Sequence, residues 1–515
     1  MTFDFASRRP QTGADRPDRA VIDIGSNTVR LVVYAGPRRA PEVWLNEKVT
    51  ARLGRELSET GRLPDKAIDI ALSAIARFAA LLPDIGVEIV DTVATAAVRE
   101  AENGPELLER VRALGLDPRL LSGQEEALTS AQGVIGAFPG AHGTVADLGG
   151  GSLELVKLDE GLCSEATSLP LGTLRLPVLR EDGPAAFRKA VTGALKGAGW
   201  AVAQSGPLYM VGGTWRALAA YAMRQADHPL TDSHGFALSR DDADAVAGKI
   251  ARTSPEALAA ISGISASRAA GLPDAAAMLQ TMLAELQPEG IIFSSWGLRE
   301  GLLFSRLAPA ARDQDPLMAG ITNFVAPRGG SATLATMIAA WTAPAASNGA
   351  TPGSKGNERL RLAAIMLSLA TARLEPNLRP RHSYDWAMHK RWLGLDPRGR
   401  AMIAAALLAA CGKPAARPAL ERICGAEDLR EAAAWGLAAR LCRRLGAGSR
   451  LSLLTTALKV EDERLVLWFD ETRAQLASDA VRRDLKALAQ WLGLEPDLQV
   501  AQSGNMAEKS HSLSI

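Results

Sequence analysis

Cysteine and histidine are both scarce in this chain, with four and six among 515 residues. The cysteines (Cys163, Cys411, Cys424, Cys442) form no C-x-x-C pair, and the histidines are too scattered for a zinc site. Reduced thiols in a cytoplasmic protein are therefore the expectation. An excess of one charge is also lacking: the net charge is +1, which argues against a general polyanion-binding surface and against nucleic acid as a partner. Any anion binding must come from local clustering. No window approaches ~18 uninterrupted apolar residues, so no membrane span is expected. The arginine-containing N-terminus lacks the apolar run of a signal peptide. What remains is ordinary globular material, 47% hydrophobic and 22% charged, long enough for several domains.

The most informative stretch is Thr144-Val-Ala-Asp147-Leu-Gly149-Gly150-Gly151-Ser152-Leu-Glu154-Leu-Val156. An apolar strand ends in an aspartate, crosses three glycines and a serine, and leaves as a second strand. Glycines let backbone N–H groups approach a ligand that a Cβ would push away. An aspartate in an apolar strand is costly to bury without a cation or donors beside it. The same pattern recurs 124 positions upstream, as Ala20-Val-Ile-Asp23-Ile-Gly25-Ser26-Asn27-Thr28-Val-Arg30-Leu-Val32. Without a gap, Val21, Asp23, Gly25, Leu31 and Val32 meet identical residues, and Thr28 meets Ser152. Two copies of one hairpin predict a duplicated domain with two Asp-bearing turns facing each other across a cleft.

Strands alternate with helices up to about residue 305, the signature of an α/β fold. Residues 1–18 read as a loose tail. The spacing predicts helices over Ala67–Leu82 and about 185–204, a third strand around Val43–Leu45, and a helix opening at Ser122-Gly-Gln-Glu125-Glu126. The segment Pro207–Val211 followed by Gly212-Gly213-Thr214 is a strand, paired glycines and a helix start. That is either an anion cradle or a tight turn. From 330 to about 447 the pattern is helical, broken by a linker at 343–357. Beyond Gly446-Ala-Gly-Ser449, two strands are expected at Leu451–Leu458 and Arg464–Phe469, then a helix at 474–492 and a disordered end at 502–515. A basic run at 371–400 contains Arg379, Arg381, His382, Lys390 and Arg391, a pattern that is usually a solvated face.

The order of motifs resembles the exopolyphosphatase/guanosine pentaphosphate phosphohydrolase (Ppx/GppA) family of the sugar kinase–Hsp70–actin superfamily. The matching residues are Asp23-Ile-Gly-Ser-Asn27, Thr95-Ala-Ala-Val-Arg99-Glu-Ala, Ser122-Gly-Gln-Glu-Glu126-Ala, Asp147-Leu-Gly-Gly-Gly-Ser152-Leu-Glu154, Gly212-Gly-Thr214 and Leu298-Arg-Glu-Gly301. The resemblance implies two duplicated ribonuclease-H-like domains, at 19–135 and 136–306. An HD-like helical domain at 312–446, without an intact His-Asp motif, and a small α+β domain at 447–501 would follow. It implies a Mg²⁺-dependent phosphohydrolase, with K⁺ as a candidate activator, and a homodimer in the cytoplasm.

On that resemblance Glu126 matches the catalytic carboxylate that activates water, and Glu125 is its structural neighbour. Asp147 and Glu154, joined by Asp23, would hold Mg²⁺. Ser26, Asn27, Thr28, Gly149, Gly150, Gly151, Ser152, Gly212, Gly213 and Thr214 would bind phosphate, and Arg99 would clamp its oxygens. Arg30, opposite Glu154 in the repeat, could instead pair with a carboxylate. The chain departs from the family in two places: Ser295-Trp296-Gly297 stands where many relatives carry Asp-Gly, and Ile365–Leu369 stands where the His-Asp pair would fall. The leading expectation is hydrolysis of inorganic polyphosphate from its end, with Arg379, Arg381, His382, Lys390 and Arg391 guiding the chain. Guanosine pentaphosphate is the other substrate considered, and a sensor with little turnover or a superfamily kinase are weaker readings.

Overall fold

The computed structural model describes residues 16–203, 205–347 and 355–501. Residues 1–15 of the tail expected to be loose and the end at 502–515 expected to be disordered lie outside the described residues, as do residue 204 and positions 348–354 of the expected linker. The chain divides into two compact units, one running to Asp227 and including Thr231–Gly320, the other comprising His228–Leu230 and everything from Ile321.

The first unit holds two mixed sheets built on one plan. In the first, β1 (Arg19–Ile24), β2 (Val29–Ala35) and β3 (Glu42–Val49) form an antiparallel meander, and β4 (Ile89–Ala94) and β5 (Pro118–Leu120) join in parallel, giving the order β3-β2-β1-β4-β5. In the second, β6 (Gly143–Leu148), β7 (Leu153–Asp159) and β8 (Leu162–Leu169) repeat the meander. There β9 (Leu208–Val211) and β11 (Gly290–Ser294) take the parallel places, and β10 (Ala237–Ser239) is added at the edge.

The duplication reaches individual hydrogen bonds. Gly25 N donates to Thr28 O at 3.1 Å, and Gly149 N donates to Ser152 O at 3.0 Å, the same turn-closing bond at the same offset. β1 and β6 are almost wholly buried because both faces are covered, so residues 20–24 and 145–148 read as apolar runs broken only by the aspartate. The Asp65–Asp84 helix buries Ile68, Ala71, Ile75 and Phe78 on the first sheet, at the spacing its sequence predicts.

One close approach fixes the core of this unit. The Gly123–Ala137 helix crosses the Leu298–Ser305 helix so tightly that a Cβ on Gly301 would lie 1.8 Å from Thr129 O, and one on Gly133 would lie 2.3 Å from Gly297 O. No side chain fits between two backbones at that separation.

The second unit packs helices around Pro397–Ala410, which is buried along nearly its whole length, and Ala426–Gly446 lies against it. A three-stranded sheet of β12 (Thr456–Glu461), β13 (Arg464–Asp470) and β14 (Glu495–Ala501) follows, with the Asp479–Leu492 helix.

Three boundaries differ from the sequence expectation. Residues 450–454 are a helical turn rather than the start of a strand, because Ser449 caps them, accepting from Ser452 N. The helix expected to 204 stops at Gly197, followed by Gly199 in the left-handed region. The helix Ala332–Ser347 runs through Pro344, where a linker was expected, and buries Ala345 and Ala346 beyond the proline.

Candidate active site

A cleft of about 570 Å³ opens in the first unit, and both glycine turns line it. The turns touch: a Cβ on Gly150 would lie 3.0 Å from the Cβ of Ser26. Each turn is held by a second loop. Arg52 N and Gly54 N donate to Asn27 O and Ser26 O, while Thr173 N and Leu174 N donate to Gly149 O and Gly150 O. Among the described residues, the N–H groups of Ser26, Asn27, Gly150 and Gly151 have no protein acceptor, so they are available to a ligand.

Glu126 reaches this cleft because of how its helix begins. Ser122 and Glu125 form a reciprocal capping box, with Glu125 N bonded to Ser122 Oγ at 3.2 Å and Ser122 N to Glu125 Oε2 at 2.8 Å. Glu125 is thereby spent on the helix end, and the next residue, Glu126, faces the cleft. One turn on, Ser130 of the same helix donates to Asp147 Oδ2 and ties the helix to the second glycine turn. Asp147 and Glu154 are direct cross-strand partners in β6–β7, and Ser168 Oγ on β8 donates to Glu154 Oε1 at 2.8 Å. In the first sheet the equivalent pair is Asp23 and Arg30. Arg30 thus does stand beside a carboxylate, and Arg299 Nε also lies 4.0 Å from Asp23 Oδ2.

The carboxylates are held far from their ordinary ionisation. Burial pushes Glu126 up to about 7, against the hydrogen bond and charge of Arg99 and with the help of Asp147 and Asp23. Burial likewise raises Asp23 and Asp147, and it raises Glu154 well above the carboxylate range, reinforced by the charges of Glu126 and Asp147. Seven cations line the same cleft, Arg30, Lys48, Arg52, Arg55, Arg216, Arg268 and Arg299. Burial and then the neighbouring arginines, Arg299 first, lower Arg216 to about 10. Two buried polar atoms on the wall, Arg30 Nε and Ser295 Oγ, have no hydrogen-bond partner. The cleft lining therefore interleaves carboxylates with cations, an arrangement that is costly without a ligand that answers both.

The profile of the Ppx/GppA phosphatase family matches residues 32–309, which is 278 of 515 residues. The chain belongs to the Ppx/GppA phosphatase family. Exopolyphosphatase 1 of Mycobacterium leprae is 31% identical over 300 residues, covering 56% of this chain and 88% of its own. A guanosine-5'-triphosphate,3'-diphosphate pyrophosphatase of Aliivibrio fischeri is 27% identical over 308 residues, 58% of this chain and 61% of its own. A crystal structure of an exopolyphosphatase from Cytophaga hutchinsonii superposes with a TM-score of 0.51 at 25% identity, covering 56% of this chain and 96% of that one. The matched region is the duplicated α/β part, where the cleft lies.

Of the residues the Ppx/GppA resemblance singles out, the cleft gathers Asp23, Ser26, Asn27, Thr28, Glu126, Asp147, Gly149, Gly150, Gly151, Ser152, Glu154, Gly212, Gly213 and Thr214. Arg99 is placed differently. Its Nη1 donates to Leu121 O at 2.7 Å and to Glu126 Oε2 at 3.1 Å, and it does not line the cleft. Its side-chain partners in this structure are that carbonyl and the Glu126 carboxylate.

The basic run belongs to the other unit, and much of it serves local packing. Arg379 donates to Leu374 O and Ala372 O, and the Lys390 ammonium sits 5.0 Å from the Phe324 ring and 5.1 Å from that of Trp392. His382 packs on Trp386, while Arg381 and Arg391 are exposed. Sequence reasoning gave no role to Ser130, Ser168, Lys48, Arg216, Arg268 or Ser295. Arg216, two residues after the Gly-Gly-Thr turn, and Ser295, at the departure from the family's Asp-Gly, carried a positional signal.

Proposed function

We propose that this chain is an exopolyphosphatase, hydrolysing the terminal phosphoanhydride of inorganic polyphosphate processively and releasing orthophosphate. The observation that carries this reading is the charge-rich cleft lining, four largely shielded carboxylates and seven cations, with no aromatic ring among the lining residues. The two glycine turns offer N–H and hydroxyl donors to the terminal phosphoryl group. Glu126 takes a proton from the attacking water, and a carboxylate raised to about 7 is well matched to that work near neutral pH. Arg30 and Arg299 stabilise charge as the anhydride oxygen leaves.

The donor set fits Mg²⁺. Asp147 and Glu154 would hold it, with Asp23 across the cleft, carboxylate oxygens being the donors that this hard cation takes. Among the described residues, no three His, Cys, Asp or Glu side chains stand close enough to cage an ion directly. Mg²⁺ commonly keeps water and substrate phosphate oxygens around one or two carboxylates. Bound there, it would neutralise phosphate charge and acidify water.

The pyrophosphatase relative makes removal of a terminal phosphate from guanosine pentaphosphate the second reading. The absence of an aromatic platform for a purine in the cleft lining speaks for the inorganic chain. We read the helical region 312–446 as an HD-like domain without its chemistry. Supporting this, Ile365, Met366, Leu367 and Ser368 are buried where the His-Asp pair would fall.

The test is phosphate release from long polyphosphate and from guanosine pentaphosphate with Mg²⁺, comparing the wild type with Glu126→Gln. Release from polyphosphate that Glu126→Gln lowers at least about a hundredfold, within the usual worth of a general base, is expected. Equal activity in the variant removes Glu126 from the chemistry, and tight polyphosphate binding without release removes hydrolysis altogether.

A further inference from the structure

Processive hydrolysis from a chain end needs a way out for the product that the chain does not block. The shortened chain stays in the cleft, so the orthophosphate just released lies at the glycine turns with the next phosphate group behind it. The chain advances only when that place is empty, and the two anions repel each other meanwhile.

A second cavity stands where such an exit is required. Its volume is about 20 Å³, room for one water molecule. It shares Ser26, Ala96 and Gly151 with the cleft lining, whereas Gly54, Glu100 and Arg175 line it without lining the cleft. The partition between the two spaces is thin. A Cβ on Gly151 would lie 3.0 Å from Ser26 Oγ and 3.0 Å from the Cβ of Ala96, so a glycine of the second half meets two small side chains of the first. Ser26 is 5% exposed, and among the described residues its hydroxyl has no hydrogen-bond partner, which leaves it for an anion on either side. The segments flanking the cavity are also those that hold the turns. Gly54 N donates to Ser26 O at 2.8 Å, and Leu174 N, next to Arg175, donates to Gly150 O at 2.9 Å.

An ion pair closes the outer end. Arg175 of the second half donates to the Glu100 carboxylate of the first, and with side chains 30% and 37% exposed the pair reaches the surface. An ion pair so exposed is weak and opens readily. Parted from Glu100, the planar guanidinium can take two phosphate oxygens. The same arginine thus shuts the cavity at rest and receives an anion when it opens.

We propose that the passage from the glycine turns past Ser26 to the Glu100–Arg175 pair is the exit for the orthophosphate product, and that it lets the product leave while the shortened chain stays bound. The inference rests on the reading that the cleft hydrolyses polyphosphate processively from its end. A phosphate ion is larger than the resting cavity, so release requires the partition and the ion pair to part. Both are contacts between the two halves, and one small separation of the halves loosens both.

The experiment plugs the outer end reversibly. Arg175→Cys and, separately, Glu100→Cys are labelled with benzyl methanethiosulfonate, with complete labelling read by mass, and the label is removed with dithiothreitol. Wild type given the same reagent controls for the four native cysteines. Labelling should turn processive hydrolysis of long polyphosphate into distributive hydrolysis, with chains of intermediate length appearing on a gel. It should lower kcat on long chains at least about tenfold, because product release then waits for the chain to dissociate. Cleavage in a single turnover should be unchanged by the label, and kcat on tripolyphosphate should fall clearly less, because its short remnant soon clears the cleft. Dithiothreitol should restore processivity. Processive hydrolysis that survives complete labelling of both variants overturns the exit, and so does a label that slows single-turnover cleavage as much as kcat. A wild type that releases phosphate distributively overturns the exit alone and leaves the role of Glu126 standing. Absence of phosphate release by the wild type overturns the catalytic reading, and the exit with it.

Discussion

Replacing Arg99 with methionine is the most discriminating perturbation of the site, because it touches Glu126 without removing it. The guanidinium donates to Glu126 Oε2 at 3.1 Å, and both side chains are mostly shielded, at 22% and 12% exposure. Arg99 is the main influence that opposes burial and keeps the carboxyl near 7. A hydrogen bond to a charged group contributes about 1.5–3 kcal/mol, which corresponds to roughly 1–2 pH units. In Arg99→Met the carboxyl should therefore titrate near about 8–9, so that only about 1–10% is ionised at pH 7 against about half in the wild type.

A general base works only when ionised, so kcat/KM should rise with pH through this ionisation in both proteins. The variant's rise is displaced upward: activity falls about 5- to 50-fold near pH 7 and recovers most of the difference near pH 9. The assay is phosphate release from long polyphosphate across pH at fixed Mg²⁺. A uniform loss at every pH would show that Arg99 binds substrate, as the family resemblance suggested, and would refute its action through Glu126.

The raised carboxylates also predict how the metal-free protein responds to pH. A group whose folded pKa is raised adds stability that is complete below its unfolded value and is lost as pH rises through the folded value. With Glu126 at about 7 and Asp23, Asp147 and Glu154 shifted the same way, the unfolding temperature in chelator should fall between about pH 5 and pH 8. Mg²⁺ should restore more at the upper end, and thermal denaturation with no pH trend would contradict the burial of these groups. Gly301→Ala forces a Cβ against Thr129 O and should cost about 1–3 kcal/mol or more, read as a lower denaturant midpoint, along with activity. Arg379→Glu should destabilise the protein because it removes donors from two backbone carbonyls. Arg381→Glu, exposed and paired only with Asp385 at 3.8 Å, should cost under about 0.5 kcal/mol. Similar denaturation curves for these two variants would show that the basic run is not structural.

The hairpin repeat was legible because its constraints are local. A turn that brings backbone N–H groups to a ligand needs glycine wherever it is built, and an ungapped offset preserves strand register, hence the matching bonds at Gly25 and Gly149. Glu126 could be separated from Glu125 only by the resemblance, since adjacent first-turn glutamates look alike in sequence. The capping box then gives a physical reason: Glu125 closes on Ser122, leaving Glu126 for the cleft. Ser130, Ser168, Lys48 and Arg268 were not legible, because each gains its meaning from a residue on another element.

The family resemblance was needed to single out Glu126. The sequence by itself determined the duplicated α/β plan, the two glycine turns and the strand aspartates Asp23 and Asp147. These follow from periodicity, from glycine where backbone must approach a ligand, and from acids placed in apolar strands. Only the tertiary structure decided the partners. It turned Arg99 toward Glu126, clamped Asp147 with Ser130, and brought Arg268 from one half of the duplication into the same cleft lining as Lys48 of the other. Charge and desolvation act through space, so the ionisation of Glu126 and the placing of the cleft cations are set by residues far apart in the chain.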